Sequence, residues 1–403
     1  MRLSPITSLA AFAFATSAAA SGQPQSPQAE SAHPAESGRP IVVTGERVQT
    51  YRDRLAACLA RHCPVNEDVD ASLALAEVLF LSGDYNNARG AIRASLGRNR
   101  GEAAHFPEPV SDLYRANARV SRHLGMDRDA QLSTWGILRA LQAGLPEEDH
   151  RHFTARFEII QSLVAFGQYD QARRELGVLA EHARRAGRDD VVASAELRTL
   201  WVSYLQAPTG SAQRELVALS ASSDPRRSIG AKMLLVRIYG ERREPARANA
   251  LMAELGRGSQ RRQLLHNPPF QLQVQDVAGN PDAVTQYGSA VDSTLARRPG
   301  NIADQWIDVA FWIQADGSVG GLEVVRSEGR TDWAAPLLGS IRGRRYSSAA
   351  ENEPTFRVER YTYTSGYELR TGSHIMQRSP RARVEYFDLG GVAENPPAAS
   401  ESR

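Results

Sequence analysis

Three short stretches decide how this chain folds: Gly83-Asp84-Tyr85-Asn86-Asn87-Ala88, Gly125-Met126-Asp127-Arg128-Asp129-Ala130 and Gly167-Gln168-Tyr169-Asp170-Gln171-Ala172. The glycines lie 42 residues apart each time, and an alanine follows each by five. Tyr85 and Tyr169 stand two after their glycine, where the middle copy has Asp127. Glycine takes the positive φ that ends a helix. An aromatic then covers the turn, and alanine lets the next helix approach closely. Each copy therefore predicts a helical hairpin. Pro107, Pro109, Pro146 and Pro208 fall between the copies, where loops are expected. Pro146-Glu147-Glu148-Asp149 reads as a helix start, with proline first and acids in the opening turn. From Tyr51 to His266 apolar residues recur at three- and four-residue spacing throughout. Weaker pairs at 190–207 with 211–221, and at 229–239 with 245–255, bring the count to four or five hairpins. The expected architecture is an α-solenoid.

In the first unit Ala76, Leu79, Gly83, Tyr85, Ala88 and Ile92 occupy spacings that resemble a tetratricopeptide repeat. That repeat has a period of about 34 residues, so a period of 42 requires longer helices or units nearer the HEAT type. The resemblance implies a concave surface that holds other proteins. The alternative is a bundle of purely structural helices.

Towards the C-terminus the apolar period switches to two. Trp306-Ile307-Asp308-Val309-Ala310-Phe311-Trp312-Ile313 puts Ile307, Val309, Phe311 and Ile313 on one face of a strand. Asp316-Gly317 is a hairpin signal, and a second strand runs from 319 to 327 with a bulge at Gly320-Gly321. Thr331 or Asp332 caps a helix that contains Trp333 and Pro336 and continues to about Arg345. Strands at 355–364 and 383–389 follow, a β-β-α-β order. A helix at 284–295 is expected in the Pro- and Gly-rich connection before them.

Asp308-Val309-Ala310-Phe311, Asp316-Gly317-Ser318-Val319, Val324-Val325-Arg326-Ser327-Glu328-Gly329, Ala334-Ala335, Ile341-Arg342 and Arg344-Arg345-Tyr346 together resemble the C-terminal domain of TonB-type energy transducers. The match covers about residues 305–356 and departs from the family at Ser347-Ser348-Ala349, where Pro-Ala is usual, and at Pro336. The resemblance implies a non-catalytic module that accepts an extended peptide by strand addition. On that pattern the accepting edge is the third strand, with Arg357, Glu359, Tyr361 and Tyr363 on one face. The alternative for those four residues is an ordinary solvated strand face.

At the other end, Ile6 to Ala20 is an apolar run closing on Ala18-Ala19-Ala20, which reads as a cleaved secretory signal. The rival reading is an uncleaved anchor. Residues 21–40 are a Pro-, Gln- and Ser-rich linker. Ile41-Val42-Val43-Thr44-Gly45 behind it resembles a TonB box, a docking strand, or else is a β-prone linker or an edge strand of this chain's own sheet. Cys58 and Cys63 are the only cysteines. Five apart on a continuous helix they are too distant to bridge, but Pro64 ends the helix and a distorted last turn could join them. Either they form a local disulfide or they are two small buried residues. With His62 alone beside them they do not make a four-ligand zinc site.

The 403 residues carry a formal net charge of +2, which argues against a basic nucleic-acid binder. Lys232 is the only lysine, so Schiff-base, phosphate-loop and Ser–Lys chemistry have no obvious home. No metalloprotease, nucleophile-elbow, nucleotide-loop or calcium-loop pattern occurs. His150 and His152, two apart on a helix, face different ways, and Arg173-Arg174, Arg184-Arg185 and Arg344-Arg345 read as solvated faces. No catalytic residue, metal, cofactor or small-molecule substrate is expected.

The chain is expected to be α+β, divided into a signal at 1–20, a linker at 21–50 and a helical repeat domain at 51–266. A linker at 267–302, a TonB C-terminal-like domain at 303–390 and a tail at 391–403 complete it. The expected function is that of a non-enzymatic periplasmic adaptor related to TonB-dependent transport. Its partners would be envelope proteins, TonB-dependent outer-membrane receptors or the TonB system. The alternatives are a divergent, inner-membrane-anchored transducer and a cell-envelope regulatory subunit unrelated to transport.

Overall fold

Gly83, Gly125 and Gly167 take φ of 86°, 71° and 69° and close their helices in one way. The amide after each glycine donates to a carbonyl five residues back: Asp84 to Leu79 at 2.9 Å, Met126 to Ser121 at 2.7 Å and Gln168 to Leu163 at 2.8 Å. This is the Schellman closure, which satisfies carbonyls the ending helix leaves open. In a computed structural model, the structure describes residues 45–208, 210–242, 244–255, 264–268, 270, 272, 305–346, 354–369 and 374–390.

The helices are α1 (Gly45–Ala60), α2 (Val65–Leu81), α3 (Tyr85–Asn99), α4 (Pro107–His123), α5 (Asp127–Gly144) and α6 (His150–Ala165). They continue through α7 (Tyr169–Arg185), α8 (Asp189–Gln206), α9 (Gly210–Ser220), α10 (Pro225–Glu241) and α11 (Pro245–Leu255). After α1 they pair as antiparallel hairpins, and the repeat glycines end α2, α4 and α6. Ala88, Ala130 and Ala172 are buried where the helices of each hairpin meet, as their small side chains require.

Two helix starts differ from the sequence reading. The first helix begins at Gly45, inside the stretch read as linker. The sixth begins at His150 and not at Pro146, because the Asp149 side chain accepts the Arg151 amide and caps it.

A short β1 (Leu264–His266) packs near α10 and pairs with β4 (Arg345–Tyr346). The main sheet contains β2 (Gln305–Ile313), β3 (Val319–Glu328), β5 (Thr355–Leu369) and β6 (Met376–Asp388), all antiparallel, in the order β3-β2-β5-β6. Gly321, at φ 61°, lies where the β2–β3 register shifts, so the expected bulge is present. The helix of this module, α12 (Ala335–Arg342), is shorter than expected. A 3-10 turn at Asp332–Ala334 precedes it and Pro336 sits in its first turn, where proline is tolerated. The helix expected at 284–295 lies outside the described residues.

The sheet is covered on both faces. Ile307, Val309, Phe311 and Ile313 pack with Trp333, Leu337 and Ile341 beneath α12. On the opposite face Trp306 joins the core of the first hairpin, beside Leu79, Phe80 and Tyr85. Helical array, sheet and α12 therefore form three successive layers.

Candidate functional site

Alternation along β5 sends its side chains to two different places. On the α12 side, Glu359 and Tyr361 meet Arg344, which is buried despite its place in an arginine pair read as solvated. Arg344 donates from Nη1 to Glu359 Oε2 at 2.7 Å and from Nη2 to Tyr361 OH at 2.7 Å. Its Nε donates to Asn267 Oδ1 at 3.0 Å. Tyr361 also donates to Glu359, and Tyr386 reaches Glu359 Oε1 at 3.3 Å. Burial pushes the Tyr361 phenol well above its usual range, with the Glu359 carboxylate adding to it. Tyr363 packs against Trp333, with ring centroids 5.3 Å apart.

These positions correct the expected peptide-accepting edge. β5 is an inner strand, bonded to β2 on one side and β6 on the other. Glu359, Tyr361 and Tyr363 are core residues, so the solvated-face alternative fails as well. Arg357 alone of the four stays near the surface, paired with Asp388 at 2.9 Å. The reason is β6, which runs far longer than the expected 383–389 and zips along the outer side of β5. Among the described residues, the edges of the main sheet are β3 and β6.

The other face of β5 holds Arg360, Thr362 and Thr364, all fully buried. Arg360 forks onto Asp308, from Nε to Oδ1 at 2.7 Å and from Nη2 to Oδ2 at 2.9 Å. The same guanidinium donates to the carbonyls of Phe80 at 2.6 Å and Leu81 at 2.9 Å, the last two of α2. It lies 3.9 Å from the Trp306 ring centroid, and Arg326 completes the cluster by donating to Asp308 at 2.8 Å. Burial alone would lower the Arg360 pKa, but the Asp308 contacts outweigh it and the net shift is upward. Thr362 bonds Tyr85 OH at 2.8 Å and His123 Nδ1 at 2.7 Å. Phe387 on β6 packs edge-on with Phe80, and Arg119 lies over the Phe387 ring, 4.7 Å from its centroid.

A third contact joins β6 to the second hairpin. Arg383 donates to both carboxylate oxygens of Asp127, one at 3.0 Å. Asp127 is the residue that breaks the tyrosine pattern of the repeats. The first copy places Tyr85 on the sheet, the second places Asp127 there, and the third turn, at Gly167, has open space where a β-carbon would stand. That irregularity is visible in the sequence, but it sets the second copy apart from the other two and does not show that the first two turns meet the sheet while the third does not.

His123 sits inside this interface, fully buried, and its Nε2 makes no hydrogen bond. Burial lowers its pKa well below the ordinary histidine value, and Arg122, Arg360, Arg119 and Arg383 push the same way. The unfolded chain takes up this proton near pH 6.5 and the folded protein does not. The His123 contribution to stability is therefore full above pH 6.5 and falls, by about 1.4 kcal/mol per pH unit, as the pH drops below it. Urea midpoints measured from pH 8 to pH 5 should show that fall in the native protein, and His123→Gln should flatten it.

Of the other sequence candidates, Cys58 and Cys63 form a disulfide, with Cα atoms 5.1 Å apart. His62, at φ 53°, turns the chain back after α1 so that the Cys63 amide donates to the Cys58 carbonyl at 3.1 Å. Ile41, Val42, Val43 and Thr44 lie outside the described residues, and Gly45 is the first residue of α1. No described helix is long and apolar enough to cross a membrane.

No protein family and no curated protein matches this chain. Among solved structures it is similar to BtubC (BKLC) from P. vanneervenii, at 17% identity over 53% of this chain and 89% of that one, with a TM-score of 0.38. It is also similar to a Rap protein complexed with Competence and Sporulation Factor, at 14% identity over 55% of this chain and 66% of that one, with a TM-score of 0.32. The described residues of this chain themselves form a helical repeat-like array followed by a small antiparallel sheet with its own helix.

Proposed function

We propose that this protein is a non-enzymatic interaction protein of the cell envelope that takes up an extended peptide along the outer side of β3. The observation that carries the reading is the state of the two sheet edges. β6 is tied to the helices through Arg383 and Phe387. β3 ends the sheet with Val324 and Val325 exposed and with no strand beyond it among the described residues. A row of open backbone donors and acceptors next to exposed β-branched side chains is a template for strand addition. Export, the periplasm and a link to TonB-dependent receptors belong to the same proposal. They rest on the signal-like residues 1–20 and on the resemblance over 305–356.

The test is amide hydrogen exchange of the full chain with a synthetic peptide, Ile-Val-Val-Thr-Gly-Glu-Arg, the sequence of residues 41–47. New protection along 319–328 with β6 unchanged is expected. Protection confined to β6, or none, would refute strand addition at β3.

A further inference from the structure

Away from the sheet, the junction of α5, α6 and α7 forms a half-open cleft of about 360 Å³. Its walls carry His152, Arg156, His182 and Arg185, with Glu147 at the rim. His152 is 3% exposed and His182 9%, and the Nε2 of each makes no hydrogen bond. The buried Nε of Arg156 is likewise without a partner, although its Nη1 reaches Glu175 at 3.0 Å. Buried polar atoms are normally satisfied, so three unsatisfied nitrogens around one cleft point to something that binds there.

The rim shows what kind of group fits. The Glu147 carboxylate leans in from the α5–α6 connection, 3.8 Å from His182 Nε2 and 3.6 Å from Arg185 Nη1. Both distances are too long for hydrogen bonds, and Glu147 is itself largely exposed. It is a loosely held internal carboxylate in front of a cationic wall. His152 adds a second requirement. Its Nδ1 lies 3.2 Å from the Glu147 backbone carbonyl, which can only accept, so the neutral ring offers Nε2 as an acceptor. Two guanidiniums beside the rings favour an anion over a metal cation.

We infer that this cleft is a binding site for a carboxylate ligand, which displaces Glu147 and pairs with Arg185, Arg156 and His182. An N–H or O–H of the same ligand meets His152. The carboxylate could belong to an acidic peptide or to a small organic acid, since both offer the same chemistry. This inference does not depend on the reading of β3.

The test uses the full chain and two probes, citrate by calorimetry and fluorescein-labelled hexaglutamate amide by polarisation, with the hexaglutamine amide as control. Arg185 and Glu147 are both exposed, so Arg185→Ala and Glu147→Gln leave the fold intact. Arg185→Ala should weaken binding about tenfold, the loss of one charge-assisted contact. Glu147→Gln should strengthen it by about three- to tenfold, because the occupied form of the apo site is removed. Binding of citrate alone assigns a small acid, and binding of hexaglutamate alone an acidic peptide. Failure of both probes, equal binding of hexaglutamine, or indifference to both substitutions would overturn the inference.

Discussion

Asp308→Ala should cost about 3–5 kcal/mol, the range seen when one partner of a buried ion pair is removed. Asp308 and Arg360 are both fully buried, and Arg326 shares the carboxylate. Alanine at 308 leaves two guanidiniums facing each other with no counter-charge in the low-dielectric layer between helices and sheet. Arg360 cannot retreat, because the Phe80 and Leu81 carbonyls and the Trp306 ring hold it in place. Asp308→Asn keeps the volume and one acceptor and should cost clearly less. The cluster joins β2, β3 and β5 to the end of α2, so its loss should also uncouple the layers. Urea unfolding followed by far-UV circular dichroism and by tryptophan fluorescence should coincide in the native protein and separate in Asp308→Ala. Coincident curves with an unchanged midpoint would show that the cluster does not hold the sheet to the array.

The second large effect is expected at the repeat glycines, which the sequence presents as equivalent. Alanine at Gly167 meets no neighbour, so its cost is the positive φ alone, about 1–2 kcal/mol. At Gly125 a β-carbon would stand 1.9 Å from the Ser365 carbonyl oxygen, a backbone atom of an inner strand. The sheet must then move, which adds about 1–3 kcal/mol to the same φ cost. Gly83 falls between them, since its β-carbon would meet the Trp306 ring, and that side chain already bonds Glu328. Thermal midpoints should fall in the order Gly167→Ala, Gly83→Ala, Gly125→Ala, with the last the lowest. Equal losses at all three would mean that the turns do not bear on the sheet.

The hairpins were legible because their determinants are local. A glycine with positive φ, an alanine five residues later and apolar residues at helical spacing act within one or two turns of chain. Alternation in β2 and the Asp316-Gly317 turn are local in the same sense. The expected edge strand failed for the opposite reason. Whether β5 is an edge depends on where β6 runs, and Met376 to Ala382 alternates too weakly to announce a strand. Arg344 and Arg360 look in the sequence like any of the chain's other arginines. Burial separates them from the rest, and burial is set by partners as distant as Phe80 and Glu359. His152 and His182 lie 30 residues apart and share a cleft only because α6 and α7 pack side by side.

By itself the sequence determined the period of the array, the ends of α2, α4 and α6, the first sheet hairpin and the change from helix to strand. Each follows from backbone preferences and side-chain periodicity over a few residues. Only the tertiary structure decided which strand is an edge, which turns dock on the sheet and which arginines are buried. Those outcomes depend on the desolvation of charges and backbone carbonyls when distant segments meet. Tyr85 and Asp127 mark the boundary between the two kinds of information. Local rules place both beside a helix-ending glycine, and contact with Thr362 and Arg383 gives each its use.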